Sequence, residues 1–413
     1  MGFIEIVIYI SAYIGLIAIS FYILSYVSSK KKEQKFYTNK ELPKVSVIIP
    51  AYNEEAVIEK TIKSVIKSNY PKDLFEVLIV DDGSKDKTFE RAKKFESEIV
   101  KVFSKKNGGK ASALNFAIKR AKGEIIFTMD ADTFVKPRSL KNMVVYFKDE
   151  EIMSVTPSIV TYKPKSIWQR IQHMEYLFGL FLRKTFASLN AIYITPGAFS
   201  AYRKKFFEKH GGFDEGNITE DLEMSLRIQY CGYRIENSIT SPAFTLAPKS
   251  FANLLEQRKR WYTGLMKNLW KHKKIISKGY GDLGLFVIPI AVISVFFAIF
   301  ITTYMVIKTL FKIAGEIVFW NTVNFNLPNL LNLNLHILER FFFLFFTNPI
   351  ILFILLFGIL MRIYLVFARK SVGKTPGLAI NLPLFFIFFA ILFGFWWVVS
   401  LIYFLFNKEV KWK

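Results

Sequence analysis

The chain of 413 residues has room for one soluble domain of about 250 residues together with membrane segments. Hydrophobic residues make up 52% and phenylalanine alone contributes 43 residues, more than a soluble domain of ordinary composition carries. Lys and Arg number 56 against 33 Asp and Glu, which favours membrane helices attached to a basic domain near anionic lipid. These basic residues are spread along the chain without an arginine-rich arm, so nucleic acid is not expected as a partner.

Cysteine and histidine usage excludes several kinds of site. Cys231 is the only cysteine, so neither an intrachain disulfide nor a CxxC metal site can form. The four histidines are scattered and lack ligand spacing, which argues against a zinc enzyme. A single cysteine also favours a reducing compartment for the catalytic part.

The N-terminal segment reads as a membrane anchor. Residues 3–27 form an apolar run long enough to span a bilayer, with no basic n-region and no small-residue cleavage site. The basic stretch SSKKKEQK follows directly, and the positive-inside rule places it in the cytosol. We therefore expect a retained anchor with its N-terminus outside.

From Lys44 to about Thr240, short β-branched runs alternate with amphipathic stretches. The strand candidates are KVSVIIP (44–50), FEVLIVDD (75–82), IVKVF (99–103), EIIFTMD (124–130) and IMSVTP (152–157). Helical patterns lie between them, at 54–68 and 110–122. This alternation predicts an α/β fold with a mostly parallel sheet and helices on both faces. Ligands of such sheets collect at the carboxyl ends of the strands.

Two amphipathic stretches follow, at 165–186 and 249–278, with aromatic residues and flanking basic ones. Both patterns fit helices lying in the membrane interface. The first fits a helix packed on the sheet equally well.

Further apolar spans are predicted near 284–307, 341–367 and 379–406, which with the anchor makes about four transmembrane helices. The basic loop 368–376 is expected inside, in agreement with the cytosolic start. The C-terminal KEVKWK would then fall outside, against the same rule. The segment 321–336 is either an external loop or another interfacial helix.

Two polar clusters stand where predicted strands end. PAYNEE occupies 50–55, and Asp81-Asp82-Gly83-Ser84 closes the next strand. Acids at such a position can accept hydrogen bonds from a base or ribose, and Gly83 lets the turn close near a ligand. A helix N-cap is the structural alternative for DDGS.

A third cluster points to a metal. Asp130 and Asp132 follow the apolar strand EIIFT, so two carboxylates project from the same edge of the sheet. Their mutual repulsion requires a cation or hydrogen bonds. A divalent ion shared between carboxylates and substrate phosphates would satisfy both. The alternative is a solvated acidic turn.

A fourth cluster combines two segments. Thr219-Glu220-Asp221 opens a helical run that Thr219 can cap, and QRKRW (257–261) lies in the later amphipathic helix. A carboxylate can remove a proton from an attacking hydroxyl, an arginine can hold a diphosphate, and a tryptophan can stack on a sugar. Taken separately, a helix cap and a lipid-facing basic stripe explain these residues as well.

Taken together and in order, six motifs resemble the family 2 glycosyltransferases, in particular the processive membrane branch of cellulose, chitin, hyaluronan and poly-N-acetylglucosamine synthases. The motifs are VIIPAYNE, VDDGS, GGKASALN, MDAD, GGFDEGNITEDLEMSLR and QRKRW, and they extend from about Lys44 to Trp261. A chance match to all six is not plausible. The resemblance implies a GT-A-type, Rossmann-like catalytic domain and an inverting enzyme that uses a UDP-sugar.

The resemblance also implies roles for particular residues. Asp221 matches the general base of the TED motif, with Glu220 beside it, and Asp132 with Asp130 matches the DxD motif that binds Mg²⁺ or Mn²⁺. Trp261 is expected to contact the acceptor. The nucleotide-sugar pocket is expected to be lined by Ala51, Tyr52, Glu54, Asp81, Lys110, Asp130, Gln257 and Arg260. The helix N-terminus would weaken Asp221 as a base while Glu220 would strengthen it, and the sequence leaves that balance open.

The predicted organisation has four parts. Residues 1–29 form the anchor, 44–245 the GT-A domain, 246–280 the interfacial helices, and 281–413 a C-terminal membrane region of about three spans. The expected location is the cell membrane, multi-pass, with the catalytic domain in the cytoplasm. Four spans are few for a polymer channel, which makes interfacial helices or a homo-oligomer a requirement for export.

Two other readings remain open. Ceramide glucosyltransferases carry comparable motifs, so the acceptor is either a growing glycan or a membrane lipid that receives one sugar. A transporter or scaffold that only binds nucleotide is a rival from another class. It lacks support, because no chain of ionisable residues lies inside the predicted spans.

Overall fold

The computed structural model describes residues 2–28, 41–322 and 378–408, together with isolated residues between 339 and 363. Its strands are β1 Val45–Ala51, β2 Phe75–Asp81, β3 Val100–Ser104, β4 Ile125–Met129, β5 Thr133–Val135, β6 Ile152–Thr161, β7 Phe199–Arg203 and β8 Arg234–Thr245. The helices that alternate with these strands are α2 Ile58–Ile66, α3 Thr88–Lys93, α4 Lys110–Ile118, α5 Ser139–Val144, α6 Ile167–Ser188, α7 Lys204–His210 and α8 Glu220–Tyr230. The others are α1 Phe3–Ser28, α9 Phe251–Lys271, α10 Ile288–Thr322 and α11 Leu378–Leu405.

All eight strands form one sheet in the order β3-β2-β1-β4-β7-β6-β8-β5. The half built from β1 to β4 is parallel throughout, as predicted. Beyond β4 the sheet is mixed, because β7 runs antiparallel to both β4 and β6, and β5 antiparallel to β8. Four of the seven strand pairs are parallel, including β6 with β8, so the prediction of a mostly parallel sheet holds for the whole sheet although the second half is mixed. The strands that make it mixed carry weaker local signals, such as the three residues of β5.

Helices cover both faces of the parallel half. Alternate residues of β1 point to opposite sides: Val47 and Ile49 pack with the apolar face of α2, whereas Ile48 packs with α4 and α7. Every residue of β1 is buried, which is the pattern of a parallel strand covered on both faces. This arrangement leaves the carboxyl edge of the strands open for polar residues.

Helix α6 packs on the sheet, which was one of the two alternatives that the sequence left open, and it also packs on apolar helices. Its Gln169 donates to the carbonyl of Ala247, just after β8, at 2.9 Å. On another side its Phe181 packs against Tyr26 of α1, with the rings tilted by 46°, and Phe178 packs on Phe385 of α11. The helix therefore lies between the sheet and the apolar helices.

Two helices are long and apolar enough to cross a membrane, Phe3–Ser28 and Leu283–Phe319. The pair Ile380–Phe386 and Ile391–Leu405, bent by 46°, would add a third if it is one broken span. Most of the predicted span 341–367 and the loop 368–376 lie outside the described residues. The prediction of about four spans is therefore not confirmed.

The second amphipathic stretch begins as predicted but is shorter. Helix α9 ends at Lys271, and two 3₁₀ turns, Lys273–Ile275 and Lys278–Tyr280, lead towards α10. Helix α9 lies along α11, where Tyr262 stacks on Trp397 with ring centroids 4.3 Å apart. The helix that carries QRKRW thus contacts both α8 and the apolar helix α11.

Candidate functional site

Three adjacent strands deliver site residues to one edge of the sheet. Ala51 and Asp81 are register partners at the ends of β1 and β2, and Asp82 N donates to the Ala51 carbonyl at 2.9 Å. Asp130 directly follows β4, the neighbour of β1 on its other side. The predicted convergence at the carboxyl edge is therefore present.

Asp81 offers an unpaired acceptor beside Tyr52. Its Oδ2 accepts from Ser84 N at 3.3 Å and from Ser104 Oγ at 3.2 Å. Its Oδ1 is buried and has no hydrogen-bond partner within the part of the chain that the structure describes. Tyr52 is half-buried directly after Ala51. A buried acceptor of this kind fits a ligand that donates a hydrogen bond, such as a nucleotide base.

Asp82 organises the loop that leads into α4. Its Oδ1 accepts from Lys105 Nζ at 2.7 Å, and its Oδ2 accepts from Gly109 N at 2.7 Å and Gly108 N at 3.1 Å. Gly109 has a φ of +87°, a conformation that favours glycine. These contacts fix the position at which α4 begins, at Lys110.

Lys110 joins the acids of two motifs. Its Nζ lies 2.6 Å from Asp130 Oδ1 and 3.1 Å from Glu220 Oε1. Burial lowers the pKa of Lys110, but Asp130, Glu220 and Asp221 outweigh that effect and hold it above its usual value. The side chain therefore stays an ammonium and brings the DxD and TED segments together.

Glu54 and the DxD acids form a second charged group. Burial and then the charge of Asp130 raise the pKa of Asp132 to about 6. Burial, Asp132, Asp130 and Asp86 together raise the pKa of Glu54 to about 7. Like charges that hold one another partly protonated mark a place where a cation would be stabilised.

The donor set fits the expected Mg²⁺ or Mn²⁺. Asp132 Oδ1 lies at the limit of hydrogen bonding from Thr133 Oγ1 and Thr245 Oγ1, at 3.3 and 3.5 Å. Among the described residues, no three His, Cys, Asp or Glu side chains converge tightly enough to hold a metal alone. Mg²⁺ is usually coordinated by one or two protein carboxylates together with the phosphates of the substrate. Asp132 and Asp130 could supply those carboxylates.

Asp221 is held by two backbone N–H groups. Gly197 N donates to Oδ2 at 2.7 Å, and Leu222 N donates to Oδ1 at 2.8 Å. Burial and then the charge of Glu220 raise the pKa of Asp221 to about 6, although Lys110 and the two N–H groups oppose this. Burial and Glu220 together therefore outweigh the helix terminus, and the pKa of Asp221 is raised. The sequence had left this direction open.

The QRKRW segment makes its contacts with α6 and α11. Gln257 Oε1 accepts from Gln172 Nε2 at 3.0 Å. The Arg258 guanidinium lies 4.5 Å from the centre of the Trp261 ring. Arg260 and Trp261 are both half-buried. Gln257, Arg260 and Trp261 therefore lie on one helix, α9, and this helix packs against α6 and α11.

Three features of the site escape sequence reasoning. A Cβ on Gly197 would lie 2.6 Å from Lys110 Nζ and 2.9 Å from Asp221 Oδ2, so a larger residue there would displace one of these two side chains. Arg258 forms a bidentate ion pair with Glu175 of α6, at 2.8 and 2.5 Å. Thr219 occupies the N-cap of α8, but its side chain makes no capping hydrogen bond. The TPGAF run before β7 was the only local signal for Gly197.

A parallel half with acids at its carboxyl edge, continued by a mixed half, defines a GT-A-like glycosyltransferase fold. Residues 46–211 match the family described as glycosyl transferase family 2. This stretch is therefore similar to the family 2 glycosyltransferases, in agreement with the family that the motifs resemble.

Two curated relatives are similar over somewhat more than half of this chain. The probable glycosyltransferase YdaM of Bacillus subtilis is 31% identical over 249 residues, which are 58% of this chain and 59% of the relative. A poly-β-1,6-N-acetyl-D-glucosamine synthase of Staphylococcus aureus is 32% identical over 229 residues, 54% of this chain and 55% of the synthase. The chain thus spans somewhat more than half the length of these relatives.

One solved structure extends the likeness to nearly the whole chain. It is a mannosyltransferase from Pyrobaculum calidifontis in complex with GDP-Man and Mn²⁺. The similarity has a TM-score of 0.61 at 20% identity and covers 98% of this chain and 99% of the other. At that identity the likeness concerns the fold alone.

Proposed function

We propose that this protein is an inverting glycosyltransferase that moves a sugar from a nucleotide diphosphate-sugar, a UDP-sugar in the first instance, onto the hydroxyl of a growing glycan at the cytosolic membrane face. The single observation that carries the proposal is the Lys110 bridge. Its ammonium contacts both Asp130 and Glu220, so the DxD acids lie beside the buried carboxylate of Asp221. Donor-binding and base groups in one site are what a glycosyl transfer requires.

The donor half of the site is assigned to the sheet edge. Asp81, with its unpaired buried Oδ1, accepts a hydrogen bond from the base, and Ala51 and Tyr52 line the same pocket. Asp132 and Asp130 would hold Mg²⁺ or Mn²⁺, with Glu54 close by. When bound, that cation supplies stabilisation of the charge that develops on the diphosphate. Lys110 keeps Asp130 oriented toward this position through their 2.6 Å contact.

The base half is assigned to Asp221. Its carboxylate takes the proton of the acceptor hydroxyl as that oxygen bonds to the anomeric carbon and the bond to the diphosphate breaks. Gly197 N–H and Leu222 N–H each occupy one carboxylate oxygen, and each oxygen keeps a lone pair for the proton. A pKa of about 6 suits a base that works near neutral pH. Attack from the face opposite the leaving group inverts the anomeric centre.

The remaining assigned residues lie on α9. Gln257 and Arg260 are proposed to contact the diphosphate, and Trp261 is proposed to stack on the acceptor sugar. An arginine suits this role because its guanidinium can give two hydrogen bonds to one phosphate group. Gln257 is oriented by its 3.0 Å contact with Gln172 of α6.

A growing polysaccharide or oligosaccharide is the acceptor we favour, supported by the similarity to the Staphylococcus aureus synthase. A membrane lipid that receives one sugar is the second candidate. It is favoured by the packing of α9 on α11, where Arg258 and Tyr262 contact Trp396 and Trp397. The side chains of helix α9 therefore lie within reach of an acceptor that stays in the membrane. Export of a polymer would in addition require more apolar helices, for example from a second copy of the chain.

The size of the product distinguishes these acceptors. Purified protein in detergent with membrane lipid and Mn²⁺ is incubated with a panel of labelled UDP-sugars, and with labelled GDP-mannose as a second donor class. Material of high molecular weight that a glycosidase degrades supports the glycan acceptor and identifies the sugar. A single organic-soluble band supports the lipid acceptor instead. No transfer from any nucleotide-sugar would contradict the proposal.

A further inference from the structure

The side chain of Thr219 is directed away from the role that its position suggests. A threonine at an N-cap usually accepts a hydrogen bond from the backbone N–H two or three residues later. Thr219 immediately precedes Glu220 and Asp221, but its Oγ1 accepts from Asn268 Nδ2 of α9 at 2.9 Å. The Thr219 side chain is therefore hydrogen-bonded to helix α9 and not to the first turn of its own helix, α8.

Asn268 and Asn217 close this contact into a network. Asn217 Nδ2 donates to Asn268 Oδ1 at 2.7 Å, and Asn268 Nδ2 donates in return to Asn217 Oδ1 at 3.1 Å. The same Asn217 oxygen accepts from Thr219 N at 3.1 Å. Asn268 is 1% exposed, so these bonds form away from water. A buried network in which both amides are paired fixes one geometry, because any other leaves polar groups unsatisfied.

Gly264 lets α9 come this close. It lies one helical turn before Asn268, on the same face of α9. A Cβ at Gly264 would overlap Thr219 Oγ1 and would lie 2.5 Å from Thr219 Cγ2. Helix α9 therefore packs directly against the Thr219 side chain.

The next part of α9 is fastened to the first turn of α8. Glu223 Oε1 accepts from Lys271 Nζ and lies near His272 Nε2, both at 3.2 Å. Burial raises the pKa of Glu223, but His272, Arg227 and Lys271 outweigh it and lower the pKa to about 2. Glu223 is therefore a carboxylate that ties the two helices together. The contacts on either side of Glu220 and Asp221 both come from α9.

We propose that Asn268 is a positioning residue for Asp221, acting through Thr219, and that α9 sets the distance between this base and the acceptor-binding Trp261. The inference rests on the proposed function. Helix α9 carries Trp261 at its middle and Asn268 two turns further on, so a single rigid element connects the acceptor to the base. The hydrogen bonds of the Asn268 side chain go to Asn217 and Thr219 and not to the Asp221 carboxylate. Its loss lets the start of α8 shift, and a shift of about 1 Å in a reacting group can reduce a rate by up to about 100-fold.

The test compares Asn268→Leu, Thr219→Val and Thr219→Ser with the wild-type protein, by measuring kcat and the KM for donor. Leucine and valine keep the number and branching of the heavy atoms and remove the hydrogen bond, whereas serine keeps the hydroxyl. We expect kcat to fall about 10- to 100-fold in Asn268→Leu and Thr219→Val, with the donor KM changed less than about threefold. Thr219→Ser should retain most of the wild-type kcat. This difference between the two Thr219 variants is one that packing alone does not produce.

The remaining outcomes are decisive in either direction. If Asn268→Leu does not fold, as judged by its thermal unfolding midpoint, the Thr219 pair carries the test by itself. Equal kcat values in Thr219→Val and Thr219→Ser, or a wild-type kcat in Asn268→Leu, overturn the inference. Asp221→Asn is measured in the same assay. If Asp221→Asn is inactive while Asn268→Leu is normal, only the inference fails; if Asp221→Asn is active, the proposed function of Asp221 fails.

Discussion

Lys110 Nζ lies 2.6 Å from Asp130 Oδ1, and this contact belongs to the bridge between the proposed donor and base halves of the site. The same ammonium reaches Glu220 Oε1 at 3.1 Å and lowers the pKa of the neighbouring Asp221. With its side chain only 10% exposed, Lys110 is shielded from the solvent that would weaken these interactions. One residue therefore influences both the cation site and the strength of the base.

Replacing Lys110 should change the pH profile as well as the rate. Lys110→Met removes a positive charge that favours ionised Asp221, so the pKa of the base should rise and the ascending limb should move to higher pH. We expect kcat at pH 7 to fall at least about 100-fold. Lys110→Arg keeps the charge and is the matched control. Measurement of kcat between pH 5 and 9 checks this, and an unmoved ascending limb in Lys110→Met would count against the bridge.

The wild-type rate should depend on the ionisation of Asp221. A base must be deprotonated to accept a proton, and burial raises the pKa of Asp221 to about 6. Below that pH, kcat should fall about tenfold per pH unit, and above about pH 7 it should level off. The profile is recorded at saturating Mn²⁺, because the nearby acids Glu54 and Asp132 titrate in the same range. A rate that stays flat down to pH 5 would be incompatible with this base.

Binding of the cation should release protons. The raised pKa values of Glu54 and Asp132 mean that part of the acid cluster is protonated near neutral pH, and a cation favours the ionised forms. We expect Mn²⁺ to bind more tightly at pH 8 than at pH 6. Asp132→Asn should raise the half-saturating Mn²⁺ concentration about tenfold or more.

Calorimetric titration of the protein with Mn²⁺ and UDP, in buffers of different ionisation enthalpy, measures both the affinity and the proton release. Asp214→Asn is the control, because Asp214 pairs with Lys271 and lies outside the acid cluster. Equal Mn²⁺ affinity in Asp132→Asn and the wild type would remove Asp132 from the cation site.

The ion pair between Arg258 and Glu175 should matter for stability. Arg258 is 1% exposed, so removing its partner leaves a buried charge without compensation. We expect Glu175→Gln to lower the free energy of unfolding by about 3 to 5 kcal/mol, and Glu175→Gln with Arg258→Met to recover part of that loss. Thermal unfolding in detergent gives the comparison. If the double variant is no more stable than Glu175→Gln, the buried charge is not the cause.

The sequence was most informative where the structure is local. The runs that end at Ala51, Asp81 and Met129 are apolar, short and followed by polar turns, and each is a strand ending at the site edge. Their motifs also gave the family. Contacts between distant segments leave no such signal: Lys110 and Glu220 are separated by more than a hundred residues, and only the mixed half of the sheet brings them together.

The hydrogen bonding, pKa and steric fit of particular residues could also not be predicted from the sequence. Thr219 has the residue type and position of a helix cap, but its hydroxyl oxygen accepts a hydrogen bond from Asn268 of another helix. Whether Asp221 is a weak or a useful base depends on its burial, which a local pattern does not contain. Gly197 matters because of the space that Lys110 and Asp221 leave for it. Each of these properties arises from packing across the fold.

The most direct test of the central claim separates donor binding from transfer in Asp221→Asn. The variant keeps the size of the side chain and one acceptor oxygen, which can pair with either Gly197 N–H or Leu222 N–H, but it cannot take a proton. We predict that it binds the UDP-sugar and Mn²⁺ with an affinity within about threefold of wild type while transfer falls at least about 1,000-fold. Transfer at the wild-type rate by Asp221→Asn would contradict the account.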